Sequence, residues 1–584
     1  MSKLILVCNR DSSIPDFTSK AQTLFKRLLP PDIQPHPPLI SNSQNLHWAI
    51  LNPSPVLTYH EDSVCLGTIF DRDAFWWQQG QSIPDGNFAI FRNTDTAIEV
   101  VTDMLGTRTV WYYFDHEQLI ISTSQRSIVY FLGSYEPNPE VQSWFLFSGN
   151  QGPELSWDKR IKYLPGNSRL FLDRDTWTLD VETYPLTLNP SDHVDTNFEE
   201  EYESALRDSL SKIKLNPENC AMLLSGGYDS RGLCYFLPEA QKMTGITWGK
   251  ATAIYSKRTD PYIAIQIAKK LKMNFRFLNI KNSASEFEEM INRFLINGEC
   301  RTDKISGYMD LFVTWKNIFE SGFDGIIRGD HTFDYRKSSS EFETRYIYSL
   351  ILWEDYKGME LLKPFGLAKQ VIPEKLKQQP GESFSNWGGR LDRMFYIPVI
   401  QAALADLKLG YVENINPYIN KSLIERLGAL PEKVHIDKQV LKKIIGSVNP
   451  DIPFATSQGL TEEKSFIKQP KVIRYIQESL MNNHSTGSFP QEMKAMIVEE
   501  IKRSMPKSYG FEYGFLFKIK KAIQYYIPTN FKNSIKKPKS HLNADFPRLG
   551  FRIVLIEKMH ELLLEDASII NKNFVDQPNH ESSI

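Results

Sequence analysis

Residues 1 to about 190 carry short apolar and β-branched runs, each closed by a turn signal. Runs at 3–8, 48–51, 64–70, 87–91, 98–103, 109–114, 119–123 and 168–172 predict strands, and the Pro-Asp-Gly, Asn-Pro-Ser-Pro and Leu-Pro-Gly punctuation predicts a mainly antiparallel domain. From about residue 197 the period changes. Helical spacing over 197–213, 261–271 and 284–295 alternates with compact apolar runs that end at Leu224 or span 245–248, 274–278 and 325–327. That alternation predicts a parallel sheet with helices on both faces, and ligands of such sheets sit beyond the carboxyl ends of the strands. Residues about 340–500 read as helical, 503–541 as a basic, aromatic stretch, and 552–565 as a last helix before a polar tail. The expected division is 1–190, 197–500 and 501–584.

Composition narrows the class. A chain of 584 residues exceeds a single core. With 68 basic against 70 acidic residues the formal charge is −2, which argues against a nucleic-acid coat, and no specific nucleic-acid partner is expected. The basic stretch reads first as a solvated helix face. The five cysteines form no C-x-x-C pair and are odd in number, which points to a reducing compartment rather than a disulfide framework or structural zinc. No window of about 19 residues is apolar and uncharged, and the first apolar run is too short for a signal peptide, so no membrane span and a cytoplasmic location are expected.

The segment Met222-Leu-Leu-Ser-Gly-Gly-Tyr-Asp-Ser-Arg-Gly-Leu233 reads as a strand, a glycine turn and a helix start. Such a turn presents backbone N–H groups and the positive end of a helix dipole, which suits phosphate. Neither Gly-x-x-x-x-Gly-Lys-Ser/Thr nor Gly-x-Gly-x-x-Gly fits residues 225–232. Ser-Gly-Gly-x-Asp-Ser does fit, and it resembles the pyrophosphate loop of the N-type ATP pyrophosphatases, which transfer AMP to an oxygen and release pyrophosphate.

Further segments extend the likeness. Asp85-Gly86-Asn87-Phe88-Ala89, Asp103 to Arg108 with Trp111-Tyr112-Tyr113, Ser122 to Ser127, and Leu164-Pro165-Gly166 resemble front-domain motifs of the asparagine synthetase family, which includes β-lactam synthetases and lasso-peptide cyclases. In the second half, Thr244 to Asp260 with Ala264 and Ala268, Ile326 to Phe333, Asn416 to Asn420, and Asp437-Lys438 with Asn449-Pro450 are similar to its nucleotide-site motifs. The resemblance runs from residue 1 to about 470. It implies an α/β architecture: an Ntn-hydrolase-like αββα domain of antiparallel sheets, then a doubly wound parallel-sheet ATP pyrophosphatase domain with a helical C-terminal part.

The resemblance also implies roles. Leu224, Ser225, Gly226, Gly227, Asp229, Ser230, Trp248, Arg328 and Gly329 would hold ATP, and Asp229 with Asp330 would hold Mg2+, since carboxylates are the usual ligands of that ion. Three departures matter. Ser2 stands where glutamine-using members carry their nucleophilic cysteine, and a hydroxyl is far weaker at neutral pH, so the front domain is expected to lack glutaminase activity. His331 replaces a glutamate in the Gly-Asp-Glu-x-Phe signature, as in some lasso cyclases, and is a candidate proton relay. Ser457 occupies the place of a late charge-stabilising lysine, leaving Lys464 as the nearest replacement.

The implied function is an ATP- and Mg2+-dependent ligase that adenylates a carboxylate and joins it to an amine, with macrolactam formation on a precursor peptide as the leading specific form. The expected partners are that carboxylate substrate and a partner protein of the same biosynthetic cluster. Alternatives are an amide ligase using ammonia or a small-molecule amine, and a nucleotide-binding partner protein without catalysis.

Overall fold

The computed structural model describes residues 3–43, 45–54, 56–71, 75–186, 188, 197–281, 283–331, 333–482, 487–504 and 540–575, with side chains to residue 570. The front domain is two six-stranded antiparallel sheets. One runs Lys162–Leu164, Val110–Phe114, Gln118–Ser122, Lys3–Asn9, Leu46–Leu51, Leu39–Ser43; the other runs Thr178–Thr183, Ser168–Asp173, Ala97–Thr102, Gly86–Asn93, Ser63–Ile69, Thr58–His60. Side chains alternate across a strand, and the first strand shows what that does. Leu4, Leu6 and Cys8 pack into the layer between the sheets, while Ile5 and Val7 join the outer core with the helices Phe17–Leu28 and Gln125–Leu132. On the far side, Phe88, Ile90 and Val101 are covered by Trp76 and Ile83.

All eight predicted front-domain strands are present within a residue or two. The strands missed are Leu39–Ser43, Thr58–His60, Lys162–Leu164 and Thr178–Thr183. Each lies at a sheet edge and is short or largely exposed, so it lacks the clean apolar alternation of the inner strands.

The second half is built on a five-stranded sheet in the order Phe275–Asn279, Thr244–Gly249, Cys220–Leu223, Gly325–Ile327, Glu413–Ile415. Every pairing in it is parallel. Ala221, Leu223, Ile246 and Ile326 enter one core, and Cys220, Met222, Leu224, Ile327 and Ile415 enter the opposite one, so both faces are buried as the continuous apolar runs predict. The chain leaves Cys220–Leu223 toward one edge and later returns to Gly325–Ile327 on its other side. That reversal opens a crevice where the first strand's carboxyl end faces the fourth's.

The C-terminal helix Phe546–Val575 is not a peripheral extension. Phe551, Ile553, Val554, Leu555 and Ile556 are buried, and its Asp566 accepts Arg27 Nε and Arg126 Nε of the front domain, each at 2.6 Å. The basic composition that set 501–584 apart is concentrated in residues 505–539, outside the described residues. One core continues from the outer face of the first sheet through the helix Phe287–Gly298 to this last helix, so the two halves share apolar burial. No helix among the described residues is long and apolar enough to cross a membrane.

Candidate functional site

Residues 224–230 turn sharply after Cys220–Leu223 and enter the helix Tyr228–Phe236. The turn is held by its own hydroxyls. Ser225 N donates to Ser230 Oγ at 3.1 Å, Gly227 N donates to Ser225 Oγ at 3.2 Å, and the two hydroxyls lie 3.0 Å apart. Gly226 N donates to Asp260 Oδ1 at 3.0 Å, a carboxylate resting on a backbone N–H of the loop. Asp260 opens the helix Asp260–Leu271 with Thr259 as its cap.

The loop after Gly325–Ile327 presses directly on this one. A Cβ on Gly329 would meet the carbonyl carbon of Asp229 at 2.8 Å and Ser230 N at 3.0 Å, so only glycine permits the approach. Arg328 Nε donates to Asp330 Oδ2 at 2.5 Å, and Lys438 Nζ donates to both oxygens of Asp229 at 2.8 and 2.7 Å. Burial would raise the Asp330 carboxyl, but the adjoining Arg328 outweighs it and holds the pKa well below the usual carboxylate range. Asp330 therefore presents charge into the crevice.

Two cavities meet here. The first, 420 Å³, is lined by Leu224, Ser225, Gly227, Ser230, Trp248, Asp260, Arg328 and Gly329 among others. The second, 640 Å³, is lined by His331, Tyr348, Asp392, Tyr396, Lys438 and Lys442 among others. Asp229, Asp330 and Gln401 line both. Of the residues singled out in the sequence, the structure thus brings Leu224, Ser225, Gly227, Asp229, Ser230, Trp248, Arg328, Gly329, Asp330 and His331 together around one crevice; Gly226 sits in the same turn, packed against Ile263 and Ala455.

His331 Nδ1 lies 3.3 Å from Asp392 Oδ2. Burial pulls the imidazole down, but Asp392 and Asp330 together hold its pKa above the ordinary value. His331, Asp437 and Lys438 all have left-handed backbones with φ of 61°, 55° and 58°, and all three line the second cavity. Left-handed non-glycine residues carry strain and gather at functional sites.

Lys464 stands apart and corrects the expectation for a late lysine. Its side chain is 71% exposed and 3.9 Å from Asp545. The reason is local. In the helix Glu463–Ile467, Phe466 and Ile467 go into the core and Glu463 pairs with Arg548, which turns the intervening Lys464 toward solvent. The segment that lacks the lysine does reach the site: Asp260 N donates to Ser457 O at 2.8 Å, and Gln458 and Leu460 line the first cavity. Lysines reach that cavity from other elements, Lys304 and Lys408. Lys408 is 4% exposed, donates to Leu404 O, and has its pKa driven far down by burial and by Arg328. Sequence reasoning missed both lysines along with Asp392 and Gln401: Lys304 stands in an irregular stretch and the other three in helical segments, with no motif to mark them.

The front domain touches the same crevice. Asn416 N donates to Asn87 Oδ1 at 2.7 Å, Asn87 Nδ2 donates to Ile419 O at 3.1 Å, and Asn416 Nδ2 donates to Asp330 O at 2.7 Å. Ser2 lies outside the described residues. Its neighbour Lys3 is 8% exposed and pairs with Glu299. Cys8 is fully buried, and burial pushes its thiol up to about 11, which removes it as a nucleophile.

No family model matches this sequence, and no curated protein does. Among solved structures it is similar to the glutamine phosphoribosylpyrophosphate amidotransferase from B. subtilis complexed with ADP and GMP, over 48% of this chain and 66% of that one, just under two thirds, at 9% identity and a TM-score of 0.20. It is also similar to a structure described as the allosteric regulatory enzyme of purine biosynthesis, over 47% of this chain and 80% of that one, at 7% identity and a TM-score of 0.22. Likenesses this slight leave the description to the chain's own strands. Those define an α/β protein, an antiparallel two-sheet domain joined to a doubly wound parallel sheet with a glycine turn at its switch point.

Proposed function

We propose that the chain is an AMP-forming ligase of the asparagine synthetase type, which adenylates a carboxylate and joins it to an amine. The observation that carries the proposal is the meeting of the Ser225–Ser230 turn with Asp330 at the switch point, between two cavities joined at Asp229 and Asp330.

The residues fit magnesium ATP. The first cavity offers hydroxyls, a helix N-terminus and an aromatic wall at Trp248. Among the described residues no group of three or more His, Cys, Asp or Glu side chains is placed to hold a metal. Two carboxylates suffice for Mg2+, which is ordinarily completed by water and substrate phosphates rather than by an all-protein cage. Asp229 and Asp330 are those two. Bound there, magnesium ATP would supply the adenylyl group and the pyrophosphate leaving group.

The chain's own residues do the rest. Ser225, Ser230 and the turn's N–H groups hold phosphate, and Lys438 and Arg328 fix the two carboxylates in place. Lys304, on the wall of the first cavity, stands in for the lysine that Ser457 replaces. The second cavity takes the carboxylate and the amine, and His331, held by Asp392, receives the amine's proton. With Cys8 buried and Ser2 a poor nucleophile, the amine comes from the substrate itself, as in ring closure on a precursor peptide. ATP–pyrophosphate exchange against a panel of carboxylates tests this reading, and tight ATP binding with no AMP from any of them would sink it. The rival, a nucleotide-binding partner protein, is favoured by the ion pairs that already occupy Asp229 and Asp330.

A further inference from the structure

Gln401 closes a ten-residue π-helix, Asp392–Gln401, that contains Pro398. Long π-turns are rare and gather at functional sites. Here the wide turn sets Asp392 and Tyr396 along the second cavity and ends with Gln401 on both. Of the three residues shared by the cavities, Asp229 and Asp330 are anchored by Lys438 and Arg328. The side-chain amide of Gln401 has no hydrogen-bond partner among the described residues. Lys408, two turns further along the same helical rod, lines the first cavity but not the second. A neutral donor, uncommitted to the protein, thus stands where the nucleotide side and the acceptor side join.

Resting on the ligase reading, we infer that Gln401 is a catalytic residue that donates a hydrogen bond from Nε2 to the acyl oxygen of the activated carboxylate. In that step the amine nitrogen bonds to the acyl carbon and the bond from that carbon to the AMP oxygen breaks. AMP leaves with the electron pair, and the amine's proton passes to His331. Charge rises on the acyl oxygen before it falls, and a preplaced donor is worth most at that moment. Neither carboxylate can serve, because each already accepts from a basic side chain, Lys438 or Arg328.

Gln401→Leu keeps the bulk and removes the donor. In the full chain, calorimetry with magnesium ATP and with N-acetylsulfamoyl adenosine, an unreactive acyl-adenylate mimic, separates the two sides of the site. ATP affinity is expected within about twofold of wild type, and affinity for the mimic is expected to fall about tenfold. Turnover with a carboxylate that the wild type accepts is expected to fall about 10²-fold at unchanged KM for ATP. Equal affinity for the mimic and equal turnover in Gln401→Leu overturn the inference. If that variant does not fold, Gln401→Asn, which withdraws the amide by one methylene, gives the same two readouts. A wild-type chain that binds ATP and forms no AMP overturns the ligase reading instead, and that outcome is visible before any variant is made.

Discussion

The first strand of the sandwich, as far as Cys8, and the central strand of the parallel sheet are both buried, yet they end differently. At the start of Lys3–Asn9, Lys3 Nζ donates to Ile296 O at 3.4 Å and pairs with Glu299, which also accepts Gln125 N at 2.8 Å and Ser124 Oγ. Polar groups there are spent within the protein. At the end of Cys220–Leu223 the chain instead turns into two cavities, with its carboxylates and hydroxyls at the edge of open space. Antiparallel strands are closed by hairpins and neighbouring side chains, whereas a reversal of strand order in a parallel sheet leaves a gap no connection fills. On the proposed reading the front domain is scaffold and the second half the reactive part, although they share a core.

Substitutions can break that contrast. The largest effect is expected from Asp229→Asn, with AMP formation down about 10³-fold and the thermal melt little changed, since the Lys438 pair that it breaks is partly exposed and such pairs contribute little. An inactive Asp229→Asn that also unfolds would return the residue to the scaffold. Gly329→Ala comes next. A Cβ 2.8 Å from the Asp229 carbonyl carbon forces the two loops apart, and a shift of that size is expected to lower turnover about 10²-fold. Arg108→Met should act on stability alone. It leaves Glu413, 3% exposed and 2.9 Å from Arg108 Nη1, without its guanidinium, at a cost of about 3–5 kcal/mol in urea unfolding.

A gentler test uses pH. Burial holds both His435 and His560 down to about 4, against an ordinary value of 6.5. Below 6.5 the unfolded chain takes up the proton that the folded chain refuses. Stability should thus be fully present above pH 6.5 and decline as pH falls toward 4, by about 3 kcal/mol for each histidine. Unfolding midpoints at pH 7 and pH 4.5 measure the decline, and flat midpoints would contradict it. The smallest effect is expected from Ser2→Ala, which should leave amide formation unchanged; loss of a glutamine-dependent activity in that variant would restore the front domain as a working amidase.

Much of this was legible along the chain. Inner strands announce themselves because both of their faces are buried, and the glycine turn announces itself because the close approach of Ile263 and Ala455 to Gly226 admits few residue types. The same signal was present for Phe17–Leu28, whose buried Phe17, Ala21, Leu24 and Leu28 keep helical spacing, but the surrounding strands masked it. Lys464 misled because nearness in sequence to a missing lysine says nothing about direction on a helix, and two core residues turned it outward.

Local chemistry in the sequence determined the strands, the glycine turn and the residue types able to hold phosphate and a divalent cation. Tertiary structure decided which of them meet. It brought Gly329 against Asp229, paired Lys438 with one carboxylate and Arg328 with the other, set Lys408 and Gln401 at the crevice, and buried the last helix in the common core. The reason is that turns and strands are specified within a few residues, whereas pairing of charges and unpaired amides depends on packing between segments far apart in the chain.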